Sequence, residues 1–522
     1  MKKFLNWWKE EKRYILLLKA GLMALLPIVC CLVYCAMQGK TIGDVYLPCS
    51  EWNDELFYFK QMEGIVNYGY PQGYFGFNES HALKLSFAAW SPVLVFPWII
   101  WGLLFGWNLM TPIVCNIVLM TVAMVVFVWL VRPTWKQIGI LTLLFCLYTP
   151  FVRYMLSGMP EVICFSLLIV FYAIAINYLD NEKPSRLVWM FILSGLLTLM
   201  RPYMLLFLLL PAFLWIRKKK WLGVAGSVGV VGVILAIYAM IKHYFGAEYF
   251  APLFFTEWIT TFFEEGIGAG IHNFFSTLYW MGKGFLGRMI EGFRSGLASG
   301  AFFGGYVIMM LILLYQSFRN WRQKDTKKLI INGHLAFSFV GMLFALLLMY
   351  KLEEGSKHLL TFMAVGVYVI SLMETKFYKK AVLMAATFAY LYSYMAIEPY
   401  DYQVPFVDEQ RQAQIAMWEE ILDEELTFTE ENVPNYENAI IWTLWDQMED
   451  GNNKSLKWQL LYAVPEGYGI NCCKGEYLRE NFDTLQNRYI AVLPDCAVDK
   501  MCAEAGYELL GEDEDMKVYR RY

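Results

Sequence analysis

The sequence predicts an α-helical, polytopic membrane protein that carries a small soluble α/β domain at its C-terminal end. Its 522 residues are 58% hydrophobic and have a mean hydropathy of +0.40, which is more apolar than an ordinary soluble domain. Long apolar runs recur up to about residue 396. From about residue 397, acidic stretches alternate with short apolar ones, which is typical of a soluble domain of roughly 120 residues.

The first apolar run predicts the first membrane crossing. The basic stretch MKKFLNWWKEEKR precedes residues 14–37, which can cross a hydrocarbon core of ~30 Å at about 1.5 Å per residue. The apolar core of a signal peptide is shorter, about 7–15 residues, so we predict an uncleaved helix. Further apolar runs cover residues 88–106, 110–131, 137–151, 160–179, 187–200, 202–216, 221–241, 300–318, 329–350, 356–373 and 379–396.

Positively charged residues predict the orientation, because short loops rich in Lys and Arg stay in the cytoplasm. The N-terminus is therefore predicted to be cytoplasmic, and so are the basic loops at residues 132–136, 180–186, 216–220, 317–328 and 375–380. The protein is expected in the plasma membrane.

If residues 88–106 crossed the membrane completely, the basic loops after them would lie on the wrong side. This run contains Pro92, Pro97 and several tryptophans, and proline breaks a helix whereas tryptophan favours the membrane interface. We predict that it lies along the outer surface or re-enters the membrane. About eleven crossings remain, and the C-terminal domain is then extracytoplasmic.

Two domains follow from these predictions. Residues 1–396 form a transmembrane domain, with a first outer loop at 38–109 that holds interfacial helices and a second large outer loop at 242–299. The second loop is either a mobile lid or a pair of interfacial helices. Residues 397–522 form the soluble extracytoplasmic α/β domain. Its cysteines are candidates for disulfides, with the pairing open: Cys472, Cys473, Cys496 and Cys502.

Several unusual polar residues are predicted to meet on the outer face. They are Glu51, Asp54 and Glu55 in SEWNDELFYFKQ, His81 and Lys84 in NESHALKLS, Glu161 in SGMPE, Arg201 in LTLMRPYML, and Lys351, Lys357 and His358 in YKLEEGSKHLL. A carboxylate can deprotonate an acceptor hydroxyl, and Arg and Lys can hold a phosphate. This combination favours a lipid-phosphate substrate.

Each of these residues also has a structural alternative. Glu161 could simply complement the dipole of its helix, Arg201 could anchor to lipid headgroups, and Lys357 and His358 could be ordinary interfacial residues. The acids of the opening stretch could form a solvated loop face. If that stretch is a helix, Glu51 lies on one face with Asp54 and Glu55, which fits a short interfacial helix.

The sequence excludes some classes of function. There is no P-loop and no GxGxxG in a strand-to-helix context, which argues against a nucleotide-driven pump. There is also no basic cluster for nucleic acid. A sugar bonded to a lipid phosphate already carries an activated leaving group, so a nucleotide site is not needed for its transfer.

The layout resembles GT-C type glycosyltransferases, the polytopic enzymes that use polyprenyl-phosphate sugars, with protein O-mannosyltransferases and lipid A aminoarabinose transferases as relatives. The resemblance rests on Asp54 and Glu55 in the first outer loop, Glu161 in LSGMPE, the hairpin GLLTLMRP at residues 195–202, and the late basic patch at Lys357 and His358. It covers about residues 40–400, and the tail resembles the extracytoplasmic domains of many members.

This resemblance implies a GT-C-like fold and roles for the residues. Asp54 would be the catalytic base of an inverting transfer, with Glu55 beside it. Glu161 and Glu51 would orient the acceptor or bind a metal; no cofactor is certain, and a divalent cation (Mg²⁺ or Mn²⁺) is left open. The donor and its lipid phosphate would be bound by the basic residues Arg201, Lys351, Lys357, His358, Lys84 and His81.

The predicted activity is transfer of a sugar from a polyprenyl-phosphate carrier to an extracytoplasmic acceptor, which is a cell-wall or surface glycan, a lipid or a protein. The partners are therefore that donor, the acceptor and the lipid bilayer, with no nucleic acid. Two alternatives remain: a lipid-linked glycan polymerase or ligase, and a polytopic transporter or flippase. A transporter usually has ionisable groups at mid-bilayer and repeated halves, and neither is evident in the sequence.

Overall fold

A computed structural model shows the architecture of most of the chain. It describes residues 11–37, 39–44, 53–69, 76–77, 92–147, 152, 154–245, 255–295, 297–350, 352–373, 408–422, 439–448, 451–456, 459 and 469–521.

Helices dominate the chain up to residue 373. They are α1 Glu11–Met37, α2 Asn53–Tyr68, α3 Phe96–Phe105, α4 Thr111–Val131, α5 Trp135–Leu147, α6 Glu161–Asn181, α7 Pro184–Met200, α8 Leu205–Lys219, α9 Trp221–Phe245, α10 Glu257–Glu264, α11 Ile267–Ser295, α12 Leu297–Arg322, α13 Thr326–Leu348 and α14 Leu352–Met373. Short 3₁₀ turns precede α3 and α8, at Pro92–Val95 and Pro202–Met204.

The predicted fold class, an α-helical membrane protein with a small C-terminal α/β domain, is confirmed. Within the described residues, five helices are long and apolar enough to cross a membrane: α1, α4, α6, α9 and α13. Shorter apolar helices include α7 and the part of α14 from His358 onward. The last predicted crossing, at residues 379–396, lies outside the described residues.

The segment predicted not to cross is short in the structure. Helix α3 has 10 residues, which corresponds to about 15 Å at 1.5 Å per residue, half the thickness of a hydrocarbon core. It ends at Gly106, whose φ of 88° is accessible to glycine at little cost. Gly102 lets α3 approach α2 closely, because a Cβ there would lie 2.8 Å from Val66 Cγ2.

The chain divides into two compact units. One comprises Met1–Asp44, Asn116–Ile237 and Pro252–Pro399, and the other comprises Val45–Cys115, Tyr238–Ala251 and Tyr400–Tyr522. The predicted domain boundary at residues 396 and 397 lies outside the described residues.

The first unit is a bundle built around α6. Most of this helix is buried inside the protein, as expected for a helix that is apolar on every side. It packs against α7 and α14, while α13 packs against α12, α14 and α8. Helix α9 is the opposite case, since large apolar side chains such as Trp221, Val228 and Met240 are exposed along it. In a membrane, such a surface faces lipid.

The second predicted outer loop is largely helical within the described residues. Helix α10 packs on α11, where Asn273 Nδ2 donates to Thr261 Oγ1 at 2.9 Å. The start of α10 is tied to the end of α13, because the amide of Phe255 donates to the Met349 carbonyl and Trp258 Nε1 donates to the Leu348 carbonyl, both at 2.9 Å. Of the two alternatives for this loop, the helical one agrees with the structure.

The second unit contains a mixed sheet. Its strands are β1 Gly76–Phe77, β2 Ala439–Gln447, β3 Asn453–Lys454, β4 Gly469–Lys474, β5 Tyr489–Val492, β6 Glu508–Glu512 and β7 Lys517–Arg520, in the order β1-β4-β2-β5-β7-β6 with β3 paired to β2. Strands β1, β4, β2 and β5 run parallel, whereas β7 is antiparallel to both β5 and β6.

Three helices accompany the sheet: α15 Asp408–Ile421, α16 Gly475–Asn481 and α17 Ala497–Glu504. Strand β1 belongs to the first outer loop of the sequence, and its Phe77 is in register with Cys472 of β4. The outer loop therefore extends the sheet of the C-terminal region, which its sequence did not reveal.

A buried carboxylate fills the end of β2. Ligands often bind beyond the carboxyl ends of parallel strands, but here Asp446 accepts hydrogen bonds from Arg479 Nη1 and from the amide of Val498, the latter at 3.4 Å. Gly475 is required beside it, because a Cβ would lie 2.1 Å from Asp446 Oδ1. We therefore interpret Asp446 as a structural residue.

The cysteines of this region are buried and unbridged. This holds for Cys472, Cys473, Cys496 and Cys502. Cys496 instead caps α17, since its sulfur accepts from the amide of Asp499 at 3.4 Å. The disulfides considered from the sequence are therefore not formed in this structure.

Candidate active site

Glu161 begins helix α6 and lies inside the bundle. Pro160 precedes the helix, and a carboxylate in the first turn is stabilised by the positive end of the helix dipole. The side chain is only 2% exposed. The predicted helix start behind Pro160 is confirmed, but the helix dipole is not the whole account of this buried charge.

Arg201 ends helix α7 because proline follows it. A residue before proline is pushed out of the helical conformation, and Arg201 has φ −146° and ψ 117°. The chain then turns through Pro202–Met204 into α8. Arg201 is 1% exposed, whereas a headgroup anchor would be exposed, so that alternative is wrong.

His358 comes from the second turn of α14 and is fully buried. Its ring lies against Tyr203 and Tyr350, with ring centroids 5.3 and 5.1 Å away. These residues lie far apart in the sequence. The start of α6, the turn after α7 and the start of α14 thus bring their polar side chains to one place.

The Arg201 side chain connects a group of buried polar residues that we call the Glu161–Arg201 cluster. The cluster consists of Glu161, Arg201, Tyr203, Tyr350 and His358. Arg201 Nη2 donates to Glu161 Oε1 at 2.7 Å. Arg201 Nη1 donates to the Tyr203 hydroxyl at 2.8 Å and also to His358 Nδ1. A buried charge is costly unless it is paired and hydrogen-bonded, and these contacts meet that requirement for both Arg201 and Glu161.

The hydrogen bonds identify the tautomer of His358. A guanidinium has only donors, so His358 Nδ1 must be the acceptor. In the neutral ring the proton is then on Nε2, which donates to the Tyr350 hydroxyl at 3.1 Å. The Tyr203 hydroxyl, 3.0 Å from the same Nδ1, completes the ring of contacts. His358 is thus held as a neutral imidazole between two tyrosines.

Glu161 keeps one acceptor atom unused. Its Oε2 is buried and has no hydrogen-bond partner among the described residues. An ionised carboxylate oxygen in such a position can accept a hydrogen bond from a hydroxyl group or a water molecule that enters the site. This gives the cluster an available polar group in addition to its internal contacts.

Two of the three predicted acids of the first outer loop, Asp54 and Glu55, lie on a helix. Helix α2 begins at Asn53, so Asp54 and Glu55 are in its first turn, where acids are favoured by the helix dipole. The Glu55 side chain is fully buried, which excludes a solvated loop face for this residue. The side chain of Asp54 and the whole of Glu51 lie outside what the structure describes.

The other predicted residues are only partly described. Lys357 is in α14 directly before His358, without a described side chain. Lys351, His81 and Lys84 lie outside the described residues. The structure thus brings Glu161, Arg201 and His358 together and leaves the remaining candidates as predictions.

Sequence reasoning missed Tyr203 and Tyr350. Both are aromatic residues at helix ends, where tyrosine is commonly interpreted as an interfacial anchor. Their closeness in sequence to the charged residues, in MRPY and in YKLEEGSKH, was the available signal.

The described residues do not favour a metal at this site. Among them, no group of three or more His, Cys, Asp or Glu side chains could hold a metal ion. Glu161 has the Arg201 guanidinium at 2.7 Å, and that positive charge opposes a divalent cation on the same carboxylate. We therefore derive no step that needs a metal.

Comparison with known proteins gives matches in structure only. No protein-family model matches the chain, and no curated protein matches it by sequence. This chain is similar to AglB and ArnT. The first is the archaeal oligosaccharyltransferase AglB from Archaeoglobus fulgidus, solved with an inhibitory peptide and a dolichol-phosphate; the TM-score is 0.49 at 14% identity, over 92% of this chain and 70% of that chain.

The second is ArnT from Cupriavidus metallidurans, solved with undecaprenyl phosphate. Its TM-score is 0.41 at 11% identity, over 96% of this chain and 98% of that chain. Identity this low says nothing about individual site residues, so the chemistry of the Glu161–Arg201 cluster has to come from its own contacts.

Proposed function

We propose that the protein is a membrane glycosyltransferase that moves a sugar from a polyprenyl-phosphate carrier to an extracytoplasmic acceptor. The observation that carries the proposal is the meeting of Glu161, Arg201 and His358 in one buried cluster at converging helix ends. A purely structural bundle gains little from burying a charge pair, because apolar residues of similar volume are often as stable.

The reaction we propose is a direct displacement with inversion at the sugar. The carboxylate of Asp54 takes the proton of the acceptor hydroxyl, and the hydroxyl oxygen attacks the anomeric carbon. The bond from that carbon to the phosphate oxygen breaks, and the electron pair leaves with the polyprenyl phosphate. The acceptor gains the sugar and Asp54 gains a proton, so no nucleotide or oxidant is required.

The Glu161–Arg201 cluster would orient the acceptor. Arg201 donates to Glu161 Oε1 and fixes the position of the carboxyl group, which leaves Glu161 Oε2 to accept a hydrogen bond from a hydroxyl of the substrate. Arg201 already shares its charge with Glu161, so the first contact with the leaving phosphate falls to Lys351 and Lys357, near His358 in the sequence.

A second candidate function, transport, has one feature in its favour. His334 is a half-buried ionisable residue inside α13, and transporters often have ionisable residues at mid-membrane. Both of its ring nitrogens are engaged, however, with the Tyr172 hydroxyl and the Leu206 carbonyl, each at 3.0 Å. This arrangement is what a satisfied packing histidine requires, so we favour the transferase.

The proposal is tested by incubating the purified full-length protein with a panel of polyprenyl-phosphate sugars and candidate acceptors. Release of polyprenyl phosphate and the size of the product are measured. One added sugar supports transfer, a ladder of products indicates a polymerase, and movement of unchanged substrate across liposomes indicates a transporter.

A matched pair of variants connects the assay to the site. Glu161→Gln should reduce transfer strongly, because a neutral amide cannot pair with Arg201. Glu182→Gln is the control, since Glu182 follows the other end of the same helix and its side chain is 72% exposed. Equal activity of the two variants would remove the Glu161–Arg201 cluster from the mechanism.

A further inference from the structure

A groove runs between helices α8 and α13 on an exposed side of the bundle, where Leu209, Phe213 and Phe337 are exposed. Its volume is about 450 Å³, within the range of roughly 300–1,000 Å³ typical of pockets that hold small molecules. The lining is mostly apolar: Leu209, Leu210 and Phe213 from α8, and Leu329, Ile330, Gly333 and Phe337 from α13. Arg217, Thr326 and His334 are its polar members.

The groove has a closed end and an open end. At the closed end, His334 Nε2 is bonded to the Leu206 carbonyl, and the helices are in tight contact where a Cβ on Gly341 would lie 2.7 Å from Leu206. At the open end are Arg217, in the last turn of α8, and Thr326, at the start of α13. The two ends are about 12 Å apart along α13, at 1.5 Å per residue.

The open end is strongly basic. It is formed by the run RKKK at the end of α8 (residues 217–220) and by the lysines at the start of α13. Several of these cations have acidic partners: Lys218 pairs with Glu182 at 3.3 Å, and Lys328 pairs with Asp325 at 3.0 Å. Lys327 likewise pairs with Asp180 at 2.5 Å.

Arg217 differs from these lysines. It lines the groove and makes no hydrogen bond or ion pair with any residue that the structure describes. The N-terminal end of α13 is already capped by Asp325, whose carboxylate accepts from the Lys328 amide, so Arg217 supplies the charge for an anion. An apolar slot that ends at an unpaired cation is complementary to an anionic headgroup with a hydrocarbon chain.

We propose that this groove binds one acyl chain of an anionic glycerophospholipid, whose phosphate is held by Arg217. The lipid belongs to the leaflet at this end of the helices, which the basic loops predict to be cytoplasmic. The site is thus separate from the Glu161–Arg201 cluster, which is formed at the opposite ends of α6 and α7. It binds a membrane lipid from the surrounding leaflet and takes no part in the sugar transfer.

Gly333, which is half-buried, lines the groove. A Cβ built on Gly333 would have only one neighbour, Leu329 Cδ1 at 4.0 Å. A larger side chain at this position would therefore enter the groove without a clash. A leucine would also favour the helix over glycine. Gly333→Leu therefore fills the groove and leaves the fold intact.

Photo-crosslinking of the full-length protein tests the proposal. Phosphatidylglycerol and phosphatidylcholine, each with a photoreactive group near the end of one acyl chain, are compared in nanodiscs, and the labelled peptides are mapped by mass spectrometry. We expect phosphatidylglycerol to label the groove segments of α8 and α13 in preference to phosphatidylcholine. Arg217→Gln should lower this labelling about fivefold, the effect of losing one basic contact at a membrane surface.

Two comparisons decide the outcome. Lys219→Gln makes the same charge change two residues away, outside the groove lining, and should leave the labelling unchanged. Gly333→Leu should abolish the labelling while the melting temperature is retained. Equal labelling by both lipids, or an equal loss in Arg217→Gln and Lys219→Gln, would overturn the proposal, since either result reflects ordinary annular lipid or general surface charge.

Discussion

Arg201 and Glu161 form an ion pair of 2.7 Å although they lie 40 positions apart in the sequence. Both side chains are almost completely buried. Two helix ends are joined by this contact, because Glu161 begins α6 and Arg201 ends α7. The pair is therefore both a structural link and the charged centre of the proposed active site, and variants can separate the two roles.

Removing one partner should destabilise the protein strongly. Arg201→Met leaves Glu161 buried without its cation, which typically costs about 3–5 kcal/mol. In the double variant Glu161→Leu with Arg201→Met, both charges are gone and much of that stability should return. Thermal unfolding in detergent measures the difference.

The same double variant should remain inactive in sugar transfer. Restored folding without activity is the result expected if the cluster acts on the substrate. A stable double variant with normal transfer would show that the pair only holds the helices together.

Tyr350 is expected to matter for activity more than for stability. Tyr350→Phe removes the acceptor for His358 Nε2, at a cost of about 1 kcal/mol in the free energy of unfolding. Because the imidazole is then free to change orientation, we expect turnover to fall. Tyr368→Phe is the control, since it removes a buried hydroxyl from α14, the helix that carries His358; this hydroxyl donates to the Ile169 carbonyl at 3.2 Å. Equal turnover in the two variants would contradict this prediction.

Trp258 is predicted to secure helix α10 at the end of α13, next to Tyr350. Trp258→Phe loses the hydrogen bond to the Leu348 carbonyl and keeps most of the ring packing. The free energy of local opening of α10 should fall by about 1 kcal/mol, and amide hydrogen exchange in α10 should therefore become faster. Trp280→Phe, at a largely exposed position of α11, should leave the exchange unchanged. Unaltered exchange in Trp258→Phe would argue against the contact.

The buried thiols of the C-terminal region should make the stability of the protein depend on pH. Burial raises the pKa of the Cys496 and Cys502 thiols to about 12 each, against about 8.5 for an unfolded cysteine. The unfolded chain therefore loses these protons first, and stability that is complete below about pH 8.5 declines as the pH rises towards 12. The melting temperature should decrease as the pH is raised from 8 to 10, and the decrease should be smaller in Cys496→Ala than in the unsubstituted protein.

Alkylation provides an independent check on these thiols. The thiolate is the reactive form, so iodoacetamide at pH 8 should modify Cys496 and Cys502 only after unfolding. Rapid modification of the folded protein would contradict their burial.

Hydropathy predicted the helices well because a helix that crosses a membrane has to be apolar along its length. The run at residues 160–179 became α6, Glu161–Asn181. Within residues 88–106 the structure has the 10-residue helix α3, and its place at the outer surface stays a prediction. Glu55 and Glu161 stand out in the sequence because charges are rare in it, and both are buried in the structure. Long-range pairing was beyond these signals: neither the contact of Arg201 with Glu161 nor the pairing of β1 with β4 has a local cause.

Side-chain partners were predicted least well. Tyr203 and Tyr350 surround His358 in the structure, and the sequence marks them only by their closeness to charged residues in MRPY and YKLEEGSKH. The neutral tautomer of His358 depends on an arginine that is 157 positions away. Such details depend on how helix ends converge, which composition and periodicity do not determine.

The most direct test of the proposed function is transfer from a polyprenyl-phosphate sugar by purified protein with Asp54→Asn. A general base contributes about 10²–10⁴-fold to the rate, so the variant should lose at least a hundredfold in turnover with unchanged folding. Glu63→Gln, in the same helix α2, should retain transfer because that acid is paired with Lys60. A fully active Asp54→Asn protein would contradict the account.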